Sequence, residues 1–372
     1  LILFILFTSC HTAQKNPFWN NGESVFEVQQ LVSNERFPNV VTATNGTIVA
    51  TWGREHFRAL RSEDGGQTWG PEITVANPGF QGGGTTVDEN TGDILVFVEG
   101  DHPPAPLTIY RSRDHGKTWN AEETTIKPNS LGHIPSMHMN EHGITLKQGK
   151  YAGRLIRPSR WYGSGNSREF WDEHYTNAIF SDDGGKTWQA SEPFPAFGTG
   201  EAAIAELSDG TLYYNSRRHK STDGLNPRRR YIACSHDGGK TWENLSVCEE
   251  LPDGDQNRDY GLMAGLVRLP VDGHDILLFS NIESPEGRHH GTVWASFDGG
   301  KTWPVKRLVD EGSFAYSSLT AGRAGTPSEG IIYLFYESDS GGKMARFNLA
   351  WLTEGKDWRG FLPGKQKGGS RK

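Results

Sequence analysis

The chain has 372 residues, with 46 glycines, 19 prolines and 12 tryptophans, and only 35% of it is hydrophobic. A mean hydropathy of -0.61 excludes a bundle of long apolar helices. Lys and Arg number 38 against 45 Asp and Glu, and the net charge of -7 argues against a nucleic-acid or anionic-membrane partner for the chain as a whole.

At the front, the apolar run Leu1 to Phe7 followed by Thr8, Ser9 and Cys10 reads as the tail of an export signal. Small residues ahead of Cys10 resemble the cleavage box of a bacterial lipoprotein, with Phe7 an imperfect fit, so lipidation of Cys10 stands beside ordinary secretion. Residues 1–22 are set aside as signal and linker, and the expected location is exported: periplasmic or at the cell surface as a lipoprotein, otherwise secreted. A membrane contact is expected only through a lipid on Cys10, because no later stretch approaches the roughly 18 apolar residues of a spanning helix.

From Ser62 onward a repeat organises the chain. The pattern S-x-D-x-G-x-T-W occurs at Ser62–Trp69, Ser112–Trp119, Ser181–Trp188, Ser235–Trp242 and Ser296–Trp303. Each copy has the chemistry of a β-hairpin turn: the aspartate accepts hydrogen bonds from its own loop, glycine permits positive φ, and the tryptophan packs under the sheet. These aspartates therefore read as structural staples.

Ahead of each box lies a β-rich run. Thr47–Trp52, Asp93–Val98, Arg154–Ile156, Thr211–Tyr214, Ile276–Phe279 and Ile331–Tyr336 make six second strands for five boxed turns. Copies fall roughly 50 to 70 residues apart, the length of a four-stranded blade with its loops. A six-bladed, all-β propeller spanning 23–358 as a single domain follows, with Val25 to Leu31 supplying the missing strand of the last blade and a basic flexible tail at 359–372. Cys234 and Cys248 flank one expected turn, and a disulfide and two free thiols both remain open; no metal-ligand set and no cofactor motif is read.

The boxes join strands three and four at one end of the propeller, so function belongs at the other end, in the two-to-three turns and the links between blades. Those loops carry Arg36, His133 to His138, Glu201, Asp259, Tyr260 and Tyr316, then Arg54, Glu55, His56, Asp101, His102, Arg217, Arg218, Arg288, His289 and His290. Several guanidiniums converging on an axis suit a carboxylate, and a tyrosine with a glutamate suits a nucleophile with its base. For any one of these residues a solvated loop charge is the plain alternative. Arg228, Arg229 and Arg230 read as rim charge or an acidic-glycan subsite, and Arg157 to Tyr162 as a sugar-stacking strip or aromatic rim packing.

From Arg36 to about Trp351 the chain resembles a sialidase (exo-α-neuraminidase) of the six-bladed superfamily. Arg36-Phe37-Pro38 resembles the family's R-I-P opening, and Glu201 through Arg217 its long glutamate motif. Leu277 through Arg288, Ala315 through Leu319, and Phe335-Tyr336-Glu337 match three further segments in order. The resemblance implies that Arg36, Arg217 and Arg288 clamp the sugar carboxylate, that Glu337 orients Arg36, and that Tyr316 is a nucleophile with Glu201 as its base. It also implies a sialylated or other acidic glycan as partner.

One position departs from the family. The acid/base aspartate of the first blade is missing, and its turn is only Gly53-Arg54-Glu55-His56. His56 is expected to substitute, ahead of Glu55 and of Asp101 or His102 in the next blade, because an imidazole near pH 6.5 donates a proton at neutral pH. Three readings stay open: a sialidase with a replaced acid/base, a propeller hydrolase or lyase acting on another acidic sugar such as a uronate, and a glycan-binding propeller without catalysis.

Overall fold

The computed structural model describes residues 16–258 and 260–364. The readings made for Cys10, Asp259 and most of the basic tail lie outside these residues.

Six antiparallel sheets follow one another along the chain, giving the expected propeller. In blade 4, for example, strands Thr199–Glu206, Leu212–Arg218, Arg229–Ser235 and Glu243–Pro252 run from the axis to the rim. Burial follows that order: Leu212–Arg218 is buried throughout, whereas Glu243–Pro252 is mostly exposed. Val, Ile, Phe and Tyr therefore concentrate in the second and third strands, where both faces are covered by neighbouring blades. Phe26–Ser33 closes the ring, pairing with Gly341–Phe347 so that Phe26 faces Phe347.

The boxed turns are local hydrogen-bond cages. In each, the serine Oγ accepts from the amide of the glycine four residues on, at 2.8 Å for Ser62 with Gly66 and 2.9 Å for Ser235 with Gly239. Asp64 accepts from the Thr68 hydroxyl and amide, and these bonds hold its carboxyl well below the usual range. Partial burial works against the same bonds at Asp114, yet Thr118 still holds it down to about 2. Behind the box, Trp188 is completely buried between blades 2 and 3 and donates to Gly185 O.

Several details were not legible beforehand. Thr125–Lys127 adds a fifth strand to blade 3, parallel to Thr187 through Gln189. The first strand of blade 2 is split into Phe80–Gln81 and Thr86–Val87 by Gly82 to Gly84; a Cβ on Gly84 would lie 2.2 Å from His142 N. The packed body also extends past the boundaries expected at residues 23 and 358. Phe18 is 1% exposed beside the helix Leu349–Leu352, and Phe361 stacks on Phe297. Cys234 and Cys248 are both free: they face Glu243 and Arg230 respectively, at separate points of one strand pair.

Candidate active site

At the end of the propeller away from the boxes, first strands begin where the chain turns in from the rim. Tyr316 immediately precedes strand Ser317–Ala321 of blade 6, and Glu201 sits in strand Thr199–Glu206 of blade 4. Pairing with Leu212–Arg218 is irregular between Thr199 and Ala202, where Glu201 lies. The Tyr316 hydroxyl donates to Glu201 Oε1 at 3.1 Å, and Arg217 Nη1 donates to Glu201 Oε2 at 2.8 Å. All three side chains are buried.

Arg36 and Arg288 complete the cluster beside the tyrosine. Their guanidinium carbons stand 5.7 Å and 4.9 Å from the centre of its ring. Glu337 bonds Arg36 Nη2 at 3.2 Å and accepts the Phe37 amide at 2.7 Å, holding the start of blade 1 against the end of blade 6. Phe37 has φ 67°, a strained conformation for a bulky residue, which puts Arg36 at the mouth of the site with its side chain 42% exposed. Arg288 is anchored through Tyr260 O and Gly261 O. The structure thus brings together Arg36, Glu201, Arg217, Arg288, Tyr316 and Glu337.

Burial, with the Glu201 carboxylate beside it, pushes the Tyr316 phenol above its ordinary value, while Arg288 and Arg217 pull the other way. Burial likewise raises Glu337 against the pull of Arg36. The imidazoles of His138 and His219 are driven well below the usual range by burial. Positive charge in the site is therefore carried by arginine at neutral pH.

The blade-1 turn stands apart. Among the described residues Arg54 and Glu55, both exposed, make no side-chain hydrogen bond or ion pair, and His56 leaves a buried Nδ1 without a partner. No hydrogen bond, ion pair or ring contact among the described residues joins these three to Tyr316 or Glu201. Asp101 and His102 are exposed in the turn between Ile94–Glu99 and Leu107–Ser112, with Asp101 accepting the His102 amide at 2.6 Å. The His102 ring lies against Phe80, His138 and Tyr162, at 5.6, 4.8 and 6.0 Å between centroids. It feels the charges of Arg160 and Glu201, and burial of its covered side lowers its pKa. Of the proposed substitutes for the missing aspartate, geometry favours His102 over His56.

Other residues of the site escaped sequence reading. Arg230, read as rim charge, is fully buried and bonds Asn215 Oδ1, Leu262 O and Glu201 O, so it braces the backbone that carries the glutamate. An arginine inside a β-pattern, rather than in the loop before it, was the available signal. His219 stands with Nε2 3.9 Å from Glu201 Oε1 under the edge of Trp171. Along Leu155–Trp161 the two-residue period separates roles: Trp161 stacks on His133 at the rim, while buried Arg160 lies over Tyr162 beside the site.

Comparison with known proteins agrees with the repeat-built propeller. Residues 60–334 match the BNR repeat-like domain family. A sialidase from Micromonospora viridifaciens is 32% identical over 90% of this chain, and the chain spans 56% of that relative's length. Among solved structures, a Hadza microbial sialidase is 26% identical with a TM-score of 0.66, covering 85% of this chain and 66% of its own. An intramolecular trans-sialidase from Ruminococcus gnavus, solved with oseltamivir carboxylate, has a TM-score of 0.67 at 17% identity, covering 86% of this chain and 95% of its own; at that identity the likeness is one of fold.

Proposed function

The chain belongs to the sialidase superfamily as a BNR-repeat propeller, and from that premise we propose that it is a retaining exo-glycosidase releasing terminal sialic acid, or a closely related 2-keto acidic sugar, from glycans. The observation that carries this reading is the buried chain Tyr316–Glu201–Arg217, flanked by Arg36 and Arg288.

In this reading Arg36, Arg217 and Arg288 bind the sugar carboxylate, Arg36 being oriented by Glu337. A carboxylate nucleophile would meet like charge on an anionic sugar, and tyrosine avoids that repulsion. Because its pKa is raised, Tyr316 is protonated at neutral pH and must lose its proton as it attacks. The Tyr316 oxygen forms the bond to the anomeric carbon, its proton passes to Glu201 Oε1, and the leaving-group oxygen departs with a proton from His102. Water then displaces the tyrosine, giving one proton to His102 while Glu201 returns the other to Tyr316. Two displacements retain configuration. The export-signal reading puts such glycans within reach, outside the cytoplasm.

His56 and the exposed Glu55 at the family's aspartate position keep a second reading in view, in which the sugar is another acidic one such as a uronate. The deciding experiment measures 4-methylumbelliferone release from its α-sialoside by wild type and Tyr316→Phe, with sialyllactose alongside. Release that falls about a hundredfold in the variant, roughly 2.7 kcal/mol of barrier, supports the assignment. A folded wild type that releases nothing from either substrate overturns it.

A further inference from the structure

On the boxed face, far from the arginine cluster along the strands of blade 4, three different metal-binding side chains meet. Cys234 is the penultimate residue of strand Arg229–Ser235, His236 is the variable residue of the following box, and Glu243 opens strand Glu243–Pro252 directly opposite Cys234. Cys234 Sγ lies 3.7 Å from His236 Nε2, which lies 3.6 Å from Glu243 Oε1; the three ligand atoms all fall within 4.8 Å of one another.

These spacings have a simple reference. With Zn–S near 2.3 Å and Zn–N and Zn–O near 2.0 Å, a tetrahedral zinc ion separates sulfur from nitrogen by roughly 3.5 Å and nitrogen from oxygen by roughly 3.3 Å. Two edges of the triangle are thus within a few tenths of an ångström of what the ion requires, set by strand register and the box turn. Outer partners are in place as well. The Thr211 hydroxyl is 3.3 Å from His236 Nδ1; accepting that N–H leaves the Nε2 lone pair for a cation. Asn244 Nδ2 donates to Cys234 Sγ at 3.3 Å.

No other box offers the set. The residues equivalent to Cys234, His236 and Glu243 are Arg61, Glu63 and Gly70 in the first copy, and Ala295, Phe297 and Pro304 in the last. The third copy has Phe180, Asp182 and Gln189, and the second has Arg111, Arg113 and Asn120. Sequence reading left Cys234 and Cys248 open as a disulfide or two free thiols and read no metal-ligand set at either. Cys248 is buried near Glu250, and burial pushes its thiol up to about 11.

We propose that Cys234, His236 and Glu243 form a divalent transition-metal site, best suited to Zn2+, with water in the fourth position. Thiolate and imidazole exclude the hard cations Ca2+ and Mg2+ as natural occupants, and three protein ligands with solvent exposure leave the fourth position open. Bound metal would tie the third and fourth strands of blade 4 together at the box, independently of the glycosidase reading.

The test uses the full chain after dialysis against chelator, with Co2+ as spectroscopic probe and Zn2+ as competitor. One Co2+ per chain is expected, with a thiolate-to-metal charge-transfer band in the near ultraviolet that Zn2+ displaces and Cys234→Ser abolishes. His236→Ala and Glu243→Gln should weaken binding by more than tenfold, Thr211→Val by about tenfold. Circular dichroism of the metal-free variants checks that each is folded. Zn2+ should also raise the melting temperature of wild type and not of Cys234→Ser. Absence of the band in folded wild type, or its survival in Cys234→Ser, overturns the proposal.

Discussion

The Tyr316 hydroxyl donates to Glu201 Oε1 at 3.1 Å, joining residues 115 positions apart and reaching from blade 6 to blade 4 past the whole of blade 5. In the proposed mechanism that bond is the route for a proton that burial makes hard to remove.

If that proton route operates, the pair acts as a unit. Glu201→Gln and Tyr316→Phe should each lower kcat by about a hundredfold, and the double variant should fall little further. Independent effects that multiply to about ten-thousandfold would show that the two residues serve separate steps.

Glu337 shapes Arg36 rather than the reacting atoms. Glu337→Gln keeps a hydrogen-bond acceptor for the Phe37 amide but removes the charge facing Arg36. The expected result is a rise in KM of about tenfold, near 1.4 kcal/mol, with kcat changed much less. A fall in kcat with KM unchanged would contradict an orienting role.

Proton donation by His102 has a signed pH dependence. Its pKa is lowered by burial, so the protonated donor accumulates only as pH falls below the ordinary imidazole value. Activity on sialyllactose should therefore climb toward acid and drop as pH rises toward neutrality, whereas His102→Gln should lose about 100-fold or more and flatten that limb. An activated aryl leaving group needs less help, so its hydrolysis should suffer less. If His56→Gln gives these effects and His102→Gln does not, the assignment moves back to the blade-1 turn.

Glu99 makes stability depend on pH in the opposite sense from the boxed aspartates. Burial raises it to about 8, although the Met137 and His138 amides and Arg157 favour its charge. A carboxyl raised on folding stabilises fully below its unfolded value near 4.5, and that contribution is lost as pH rises through about 8. Denaturant midpoints should fall from pH 5 to pH 8 in wild type, and Glu99→Gln should lessen that fall. The aspartates, held low, stabilise above about pH 4 and lose their contribution as pH falls toward 2, as at Asp114.

Removing Trp188 tests the packing between blades. Trp188 is wholly buried against Leu95, Phe97, Leu155 and Ile179, and Trp188→Ala should cost about 3–5 kcal/mol in urea titrations. A loss below about 1 kcal/mol would mean that the blades close over the gap.

The fold was legible because its signals are short-range. Ser to Gly and Asp to Thr contacts in a box span four residues, so the same eight letters produce the same turn wherever they recur. Counting six second strands against five boxes then located the closing strand. The ordered match of Arg36, Glu201, Arg217, Arg288, Tyr316 and Glu337 to a family likewise named residues that the structure gathers in one place.

Convergence across blades has no such local signature. Arg228 pairs with Asp255 at the surface while Arg230, two positions on, is buried under Glu201; only the way the strand enters the sheet separates them. His102 and His56 occupy equivalent turns in adjacent blades, yet only His102 lies against Tyr162 and His138. The Cys234, His236 and Glu243 cluster depends on the register that sets Cys234 opposite Glu243. Composition and repeat thus determined the propeller and which face carries function, through hydrogen bonds a few residues long. The neighbours of each polar side chain were decided by strand register and blade-to-blade packing, which join residues from nine to 115 positions apart.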